Sequence, residues 1–273
     1  MKIIVVWILF VFTFSESIGQ TCTGKVLDAE TQLPIEYVSI GIIGKDIGTV
    51  SDSEGNYSIR PGELSDPDSI RFSCVGYEPF TLNLNALKEE PQRTVLLKPK
   101  TLLLDEVVVL PSVFKEKILG NKYAGTMIQG GFSDNKMGYE CGVLLKIKKR
   151  ALLEKFRCNI ANCSYDSIFF RINVYKQLGE NTFENILDRP IYVYQGINEE
   201  KTSIEIDLSF YNLLVSGNTL VTMEHIVDLG EGSLFFSGGL LKGAPCYSRK
   251  TSEGNWSKIP IKLGFNVTAQ VEQ

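Results

Sequence analysis

The chain has 273 residues, 44% of them hydrophobic and 22% charged, ordinary globular values that exclude a disordered or fibrous polypeptide. A formal net charge of −4 leaves no broad basic field and argues against a DNA or RNA partner. The length allows one large or two ordinary domains, each burying a core without covalent staples.

Lys2 precedes an apolar run from Ile3 to Phe14, broken only by Thr13, and the small residues Ser17 and Gly19 follow. This is the pattern of a secretory signal peptide over residues 1–19, shorter than the ~20 apolar residues a bilayer-spanning helix needs. The chain is therefore expected to be exported. Thr21 stands before Cys22 where a lipoprotein would carry a smaller residue, so lipidation is not expected. Export permits disulfides among Cys22, Cys74, Cys141, Cys158, Cys163 and Cys246, although a fold of this size does not depend on them. Cys158 and Cys163 bracket a short Asn-containing segment read as a loop, which makes them the first pair to test; free, half-buried thiols are the alternative.

Residues 20–110 alternate with period two, so each strand is expected to have one buried and one wet face. Val38, Ile40 and Ile42 point one way, and Tyr37, Ser39 and Gly41 the other. The pattern recurs in Ile70, Phe72 and Cys74, and again in Phe80, Leu82 and Leu84. Short segments separated by turn signals describe an antiparallel sandwich with little helix. Asp52-Ser53-Glu54-Gly55 closes a tight turn in which Asp bonds the backbone and Gly takes positive φ, after which Tyr57 and Ile59 re-enter the core. Gly76 marks a bend, and Tyr77 is expected to pack at the sandwich end with its hydroxyl in water.

Gly24-Lys25-Val26-Leu27-Asp28, Leu33-Pro34-Ile35, the run from Gly48 to Tyr57 and Val75-Gly76-Tyr77, in that order, resemble the carboxypeptidase-like regulatory domain. The resemblance implies a transthyretin-like Greek-key sandwich that is an accessory module and does no chemistry. Leu104-Asp105-Glu106-Val107-Val108-Val109 looks like the segment that closes this domain, which places a boundary near residue 110. In receptors of Bacteroidota a plug and barrel follow, but the ~160 residues remaining here are too few for a large outer-membrane barrel.

Residues 111–273 also read as strand. Phe170, Ile172 and Val174 alternate with Arg171, Asn173 and Tyr175, and Phe265, Val267, Ala269 and Val271 alternate with polar residues to the C-terminus. The expectation is a second sandwich, jelly-roll-like, with one helical segment over Lys148 to Lys155. Phe170 to Tyr175, Asp207-Leu208-Ser209 and Tyr247-Ser248-Arg249 to Trp256 resemble an uncharacterised sandwich found after regulatory-like domains in exported Bacteroidota proteins. The fold class is thus all-β, with two sandwich domains.

His225 is the sole histidine, so a zinc site of the carboxypeptidase type, which takes two histidines and a carboxylate, is out of reach. A Ser-His-Asp or Cys-His arrangement would need His225 as its base, yet Val221 and Met223 share its strand phase and point its ring at an apolar face. Glu205, Asp207 and Glu224 fall on strands where acids ordinarily face solvent; paired, they would be the material for glycoside cleavage. Asp52 to Asn56 lacks the alternate ligand spacing of a calcium loop. No metal or cofactor site is expected.

Trp256, Tyr247, Tyr192 and Tyr194 are the candidate ligand-binding residues, since aromatic bodies on a sandwich face can stack on sugar rings; packing at strand edges is the ordinary alternative. The reading is a non-enzymatic exported accessory protein, in the periplasm or at the outer membrane and cell surface. Its regulatory-like domain docks or stabilises, and its C-terminal sandwich binds an envelope protein or glycan. The alternative is a secreted hydrolase with a catalytic jelly-roll.

Overall fold

The computed structural model describes residues 20–62, 68–100, 113–198 and 202–273. The expected signal peptide, the Leu104–Val109 segment and the boundary near residue 110 lie outside the described residues. The described chain is nearly all strand, as expected for an all-β fold of sandwich type.

The N-terminal module contains β1 (Cys22–Asp28), β2 (Ser39–Ile42), β3 (Gly48–Val50), β4 (Asn56–Ile59), β5 (Ser69–Ser73), β6 (Phe80–Asn83), α1 (Leu84–Glu89) and β7 (Gln92–Leu97). They form two sheets, ordered β4-β1-β7 and β3-β2-β5-β6. One pairing departs from the antiparallel expectation: β7 runs parallel to β1, from Thr23 opposite Gln92 to Asp28 opposite Leu97. The cause is the route of the chain, which leaves β6 in one sheet, passes through α1 and returns to the other sheet, a crossover of the kind parallel neighbours need. Asn83 caps α1, its side chain accepting from the Asn85 amide at 2.7 Å.

Between the sheets lies a core that includes Val26, Ile40, Ile42, Tyr57, Ile70, Phe72, Leu87 and Leu97. Each fully buried Ile, Leu or Phe contributes about 1.5–3 kcal/mol. The turn at Asp52 forms as read, with Asp52 Oδ1 accepting from the amides of Glu54 and Asn56 at 2.9 and 2.8 Å and Gly55 at φ +74°. Gly76 also takes positive φ, +86°. Tyr77 is half-buried, and its hydroxyl donates to Asp28 Oδ2 at 3.0 Å.

The C-terminal module contains β8 (Phe114–Gly120), β9 (Gln129–Phe132), β10 (Glu140–Cys163), β11 (Ser167–Gly179), β12 (Thr182–Asn185), β13 (Ile191–Gly196) and β14 (Ser203–Asp207). Then come β15 (Leu214–His225), β16 (Leu234–Gly239), β17 (Cys246–Arg249), β18 (Ser257–Ile259), β19 (Lys262–Leu263) and β20 (Phe265–Glu272). All are hydrogen-bonded into one 13-stranded sheet coiled around a main core with Phe132, Phe156, Phe170, Met223, Phe236 and Phe265 in it. The two layers of this sandwich are therefore parts of one sheet.

The 24-residue β10 is its spine. It pairs with β15 and then β14 along one flank, and with β17 and then β20 along the other. Three register irregularities interrupt its pairing, two of them mid-strand. Ile147 faces Gly217 while Arg150 faces Ser216, and Leu153 faces Ala269 while Lys155 faces Thr268. The second inserts one residue and flips the phase, so Val143, Leu145, Ile147, Ala151 and Leu153 point inward before it, and Phe156 and Cys158 after it.

The helix expected over Lys148 to Lys155 is thus strand, because the two bulges break the period-two pattern at those residues. The loop expected between Cys158 and Cys163 is strand too. Five residues along a strand span about 16 Å, beyond the ~7 Å a disulfide can bridge, and all six cysteines are free.

Candidate functional site at the seam between the modules

Strands β10, β11, β15 and β17 each show one face to the C-terminal core. The other face is covered partly by a cluster of Leu144, Tyr175, Leu220, Tyr247 and Trp256 and, around Arg171 and Glu224, by the N-terminal module at Tyr37 and Ser39. Register sets the chemistry there: Arg171 of β11 lies opposite Glu224 of β15, and Glu140 of β10 lies opposite both Glu224 and Arg249 of β17. Arg171, Glu140 and Glu224 are 3%, 0% and 0% exposed, so water does not satisfy them and protein must.

It does so completely for the carboxylates. Glu224 Oε2 accepts from Arg171 Nε and Nη2 at 3.0 and 2.8 Å and from Asn173 at 2.8 Å, while its Oε1 accepts from Ser39 and Ser252 at 3.4 Å. Glu140 Oε1 accepts from Asn173 at 2.9 Å and from the Thr222 hydroxyl; Oε2 accepts from Arg249 Nε at 2.8 Å and from Tyr175 at 3.2 Å. Arg171 reaches across to the N-terminal module, donating to the Tyr37 carbonyl at 2.7 Å and to Ser39 at 2.6 Å.

Burial pushes the Glu140 carboxyl up, more than the Arg249 charge draws it down. Burial also acts on Glu224, but there the charges of Arg171 and Arg249 win and its carboxyl is held below the ordinary range. A carboxyl pair pushed in opposite directions is an arrangement acid–base chemistry uses. Here each of the four oxygens already accepts two or more hydrogen bonds, so none is left for a reacting group.

A loop of the C-terminal module completes the seam. Ser73 donates to Glu253 Oε1 at 2.7 Å, the Gly44 amide to the Glu253 carbonyl at 3.1 Å and Asn255 to the Gly44 carbonyl at 2.9 Å. Glu253 adopts φ +60° to do this. The loop fits because β2 and β3 present glycines: a Cβ on Gly41 would stand 2.0 Å from the Ser252 carbonyl oxygen, and one on Gly48 2.5 Å from Thr251 Oγ1. This is why β2, expected to alternate, is buried at every position.

Beside the network lies a cleft of about 470 Å³ with walls from both modules, including Arg71 and Tyr77 from one and Tyr175, Phe183, Arg249 and Trp256 from the other. The Arg249 guanidinium covers the Trp256 ring at 4.9 Å. A second cleft of about 450 Å³, with Tyr37, Val50 and Tyr57 on one side and Met137 and Ile226 on the other, opens elsewhere along the seam.

The four aromatic candidates do not form one platform. Trp256 and Tyr247 come together around Phe183, with ring centroids 5.4 and 5.2 Å from it, and are 8% and 5% exposed. Tyr192 packs on Tyr37 at 5.3 Å, and Tyr194 stands on β13 with 74% of its surface exposed. His225 is fully buried, stacked on Phe170 at 5.2 Å. Neither ring nitrogen makes a hydrogen bond of good geometry, although the backbone of Val227 and Lys136 lies near enough to oppose part of the burial effect.

Glu205 is exposed and pairs with Lys155 and Arg157 at 3.5 and 3.3 Å, and Asp207 accepts from Ser209. Glu224 faces protein instead of solvent. Among the described residues no group of three or more His, Cys, Asp and Glu side chains is placed to hold a metal.

Sequence reading missed Arg171, Asn173, Glu140, Arg249 and Glu253. The signal was present in the polar faces Arg171-x-Asn173-x-Tyr175 and Thr222-x-Glu224 on strands whose other face is wholly apolar, but alternation looks the same whether that face meets water or a second module.

Residues 22–109 match the CarboxypepD_reg-like domain family, which makes this part of the chain a non-catalytic β-sandwich of regulatory or binding type. None of the curated proteins matches the chain.

Proposed function

We propose that the chain is an exported, non-enzymatic binding protein of a Bacteroidota-type cell envelope, in the periplasm or at the outer membrane. The regulatory-like module is a fixed wall that stabilises the C-terminal module, and the two together bind an envelope protein or glycan in the cleft beside Arg249 and Trp256. The observation that carries this reading is the seam itself: its charges are spent on one another and on fixing the modules, while the adjoining cleft takes its walls from both. Ligand sites occur preferentially at such junctions.

The test is to present purified protein with envelope extracts and with glycan and peptide panels, measuring retention and turnover in parallel. Retention without product is expected. Turnover of a peptide or glycan would instead point to a secreted hydrolase, with its reacting groups outside the saturated pair Glu140 and Glu224.

A further inference from the structure

The valences left over in the cleft narrow the ligand. Its carboxylates Glu224 and, behind Arg249, Glu140 are saturated as described, and Glu253 on the same wall accepts from Ser73 and Arg71. The cations are not saturated. Arg249 uses Nε and Nη2, which donate to Glu140 and to Tyr175 at 3.2 Å, and its Nη1 has no hydrogen-bond partner among the described residues although the side chain is only 11% exposed. Arg71 uses Nε on Thr81 and Nη1 on Glu253, both at 3.4 Å, leaving Nη2. Lys100, also on the cleft wall, has no ion pair among the described residues. Three cationic side chains from separate segments thus line one cleft with donor capacity left over, which suits a carboxylate.

The same walls hold Glu184, the hydroxyl of Ser73 and the aromatic bodies of Phe183 and Trp256. An acidic peptide would satisfy the cations and meet Glu184 with like charge. A ligand with many hydroxyl groups and one carboxylate uses both signs, and its C–H faces suit the aromatic edges. Resting on the binding reading above, we infer that the cleft takes a uronic-acid-bearing oligosaccharide, its carboxylate held by Arg249 with Arg71 and Lys100 and its hydroxyls shared with Glu184 and Ser73. A volume of about 470 Å³ suits a short oligosaccharide.

The experiment is titration calorimetry of the full chain with trigalacturonic acid, with the neutral galactotriose and with an aspartate-rich peptide, at low and high salt. Only the uronate is expected to bind, more weakly at high salt. Arg71→Gln and Lys100→Gln, both outside the Arg171–Glu224–Glu140 network, are each expected to weaken it about tenfold. Thermal unfolding is the control for folding, unchanged for the exposed Lys100 and slightly lowered for Arg71, which gives up its pair with Glu253. Equal or tighter binding of the neutral sugar or the peptide, or unchanged affinity in both variants, overturns the ligand class and leaves the binding reading standing. Failure of all three probes overturns the class as well, and the binding reading falls with it only if envelope extracts also yield no retained component.

Discussion

Arg171 and Glu224 face each other across neighbouring strands and close a two-point ion pair at 3.0 and 2.8 Å, with both side chains buried. The pair is assembled from the C-terminal module alone, yet Arg171 also donates to Tyr37 and Ser39 of the N-terminal module and Glu224 also accepts from Ser39.

A buried pair is costly to break and cheap to replace. Arg171→Met or Glu224→Leu alone is expected to cost about 3–5 kcal/mol, because the surviving charge stays buried without its partner. The double variant is expected to recover much of that loss. Urea unfolding of the four proteins in a double-mutant cycle measures it.

Gly41 is the position where the seam admits no side chain. Gly41→Val places atoms inside the Ser252 carbonyl and is expected to prise the loop from β2 while leaving the N-terminal core, on the opposite face of the strand, intact. Scanning calorimetry should show one transition in the parent chain and two in the variant, the lower one shifted down by several degrees.

The alternation that located the strands, the Asp52 turn and the core residues Ile40, Phe72, Tyr57 and Ile59 was legible because each is a local matter of period and turn chemistry. The seam was not. Arg171, Asn173 and Glu224 read as a wet face because nothing local distinguishes water from a second module that closes over a strand. The bulges of β10 were hidden for a related reason: an inserted residue at Glu154 erases the period that would announce the strand, and Lys148 to Lys155 then mimics a helix.

His225 gives the chain a pH signature. Burial lowers its pKa from the ordinary 6.5, with Asp134 and Asp228 opposing, so the unfolded chain binds more protons than the folded one below that pH. Stability then falls as pH drops through about 6.5. His225→Phe, which keeps a ring against Phe170 and cannot be protonated, is expected to remove that part of the slope. Chemical unfolding of both proteins between pH 7.5 and 5.5 (about a decade either side of the imidazole's ordinary value) reads the difference; parallel curves would count against a neutral, buried imidazole.

Cysteine chemistry is expected to be silent. Burial pushes the thiols of Cys141, Cys158 and Cys246 up, away from the reactive thiolate. Alkylation should be slow in the native protein and reach six sites after unfolding without reductant. A Cys158–Cys163 disulfide would appear as two missing sites.

The central claim is that the two modules are held as one unit by the seam. Hydrogen exchange followed by mass spectrometry tests it most directly, because local opening and global unfolding separate by their protection. The account predicts that the amides of Ser39–Ile42 and of Cys246–Arg249 exchange as slowly as those of the Phe72 and Phe170 strands. Rapid exchange along Ser39–Ile42 and Cys246–Arg249, beside two protected cores, would contradict it.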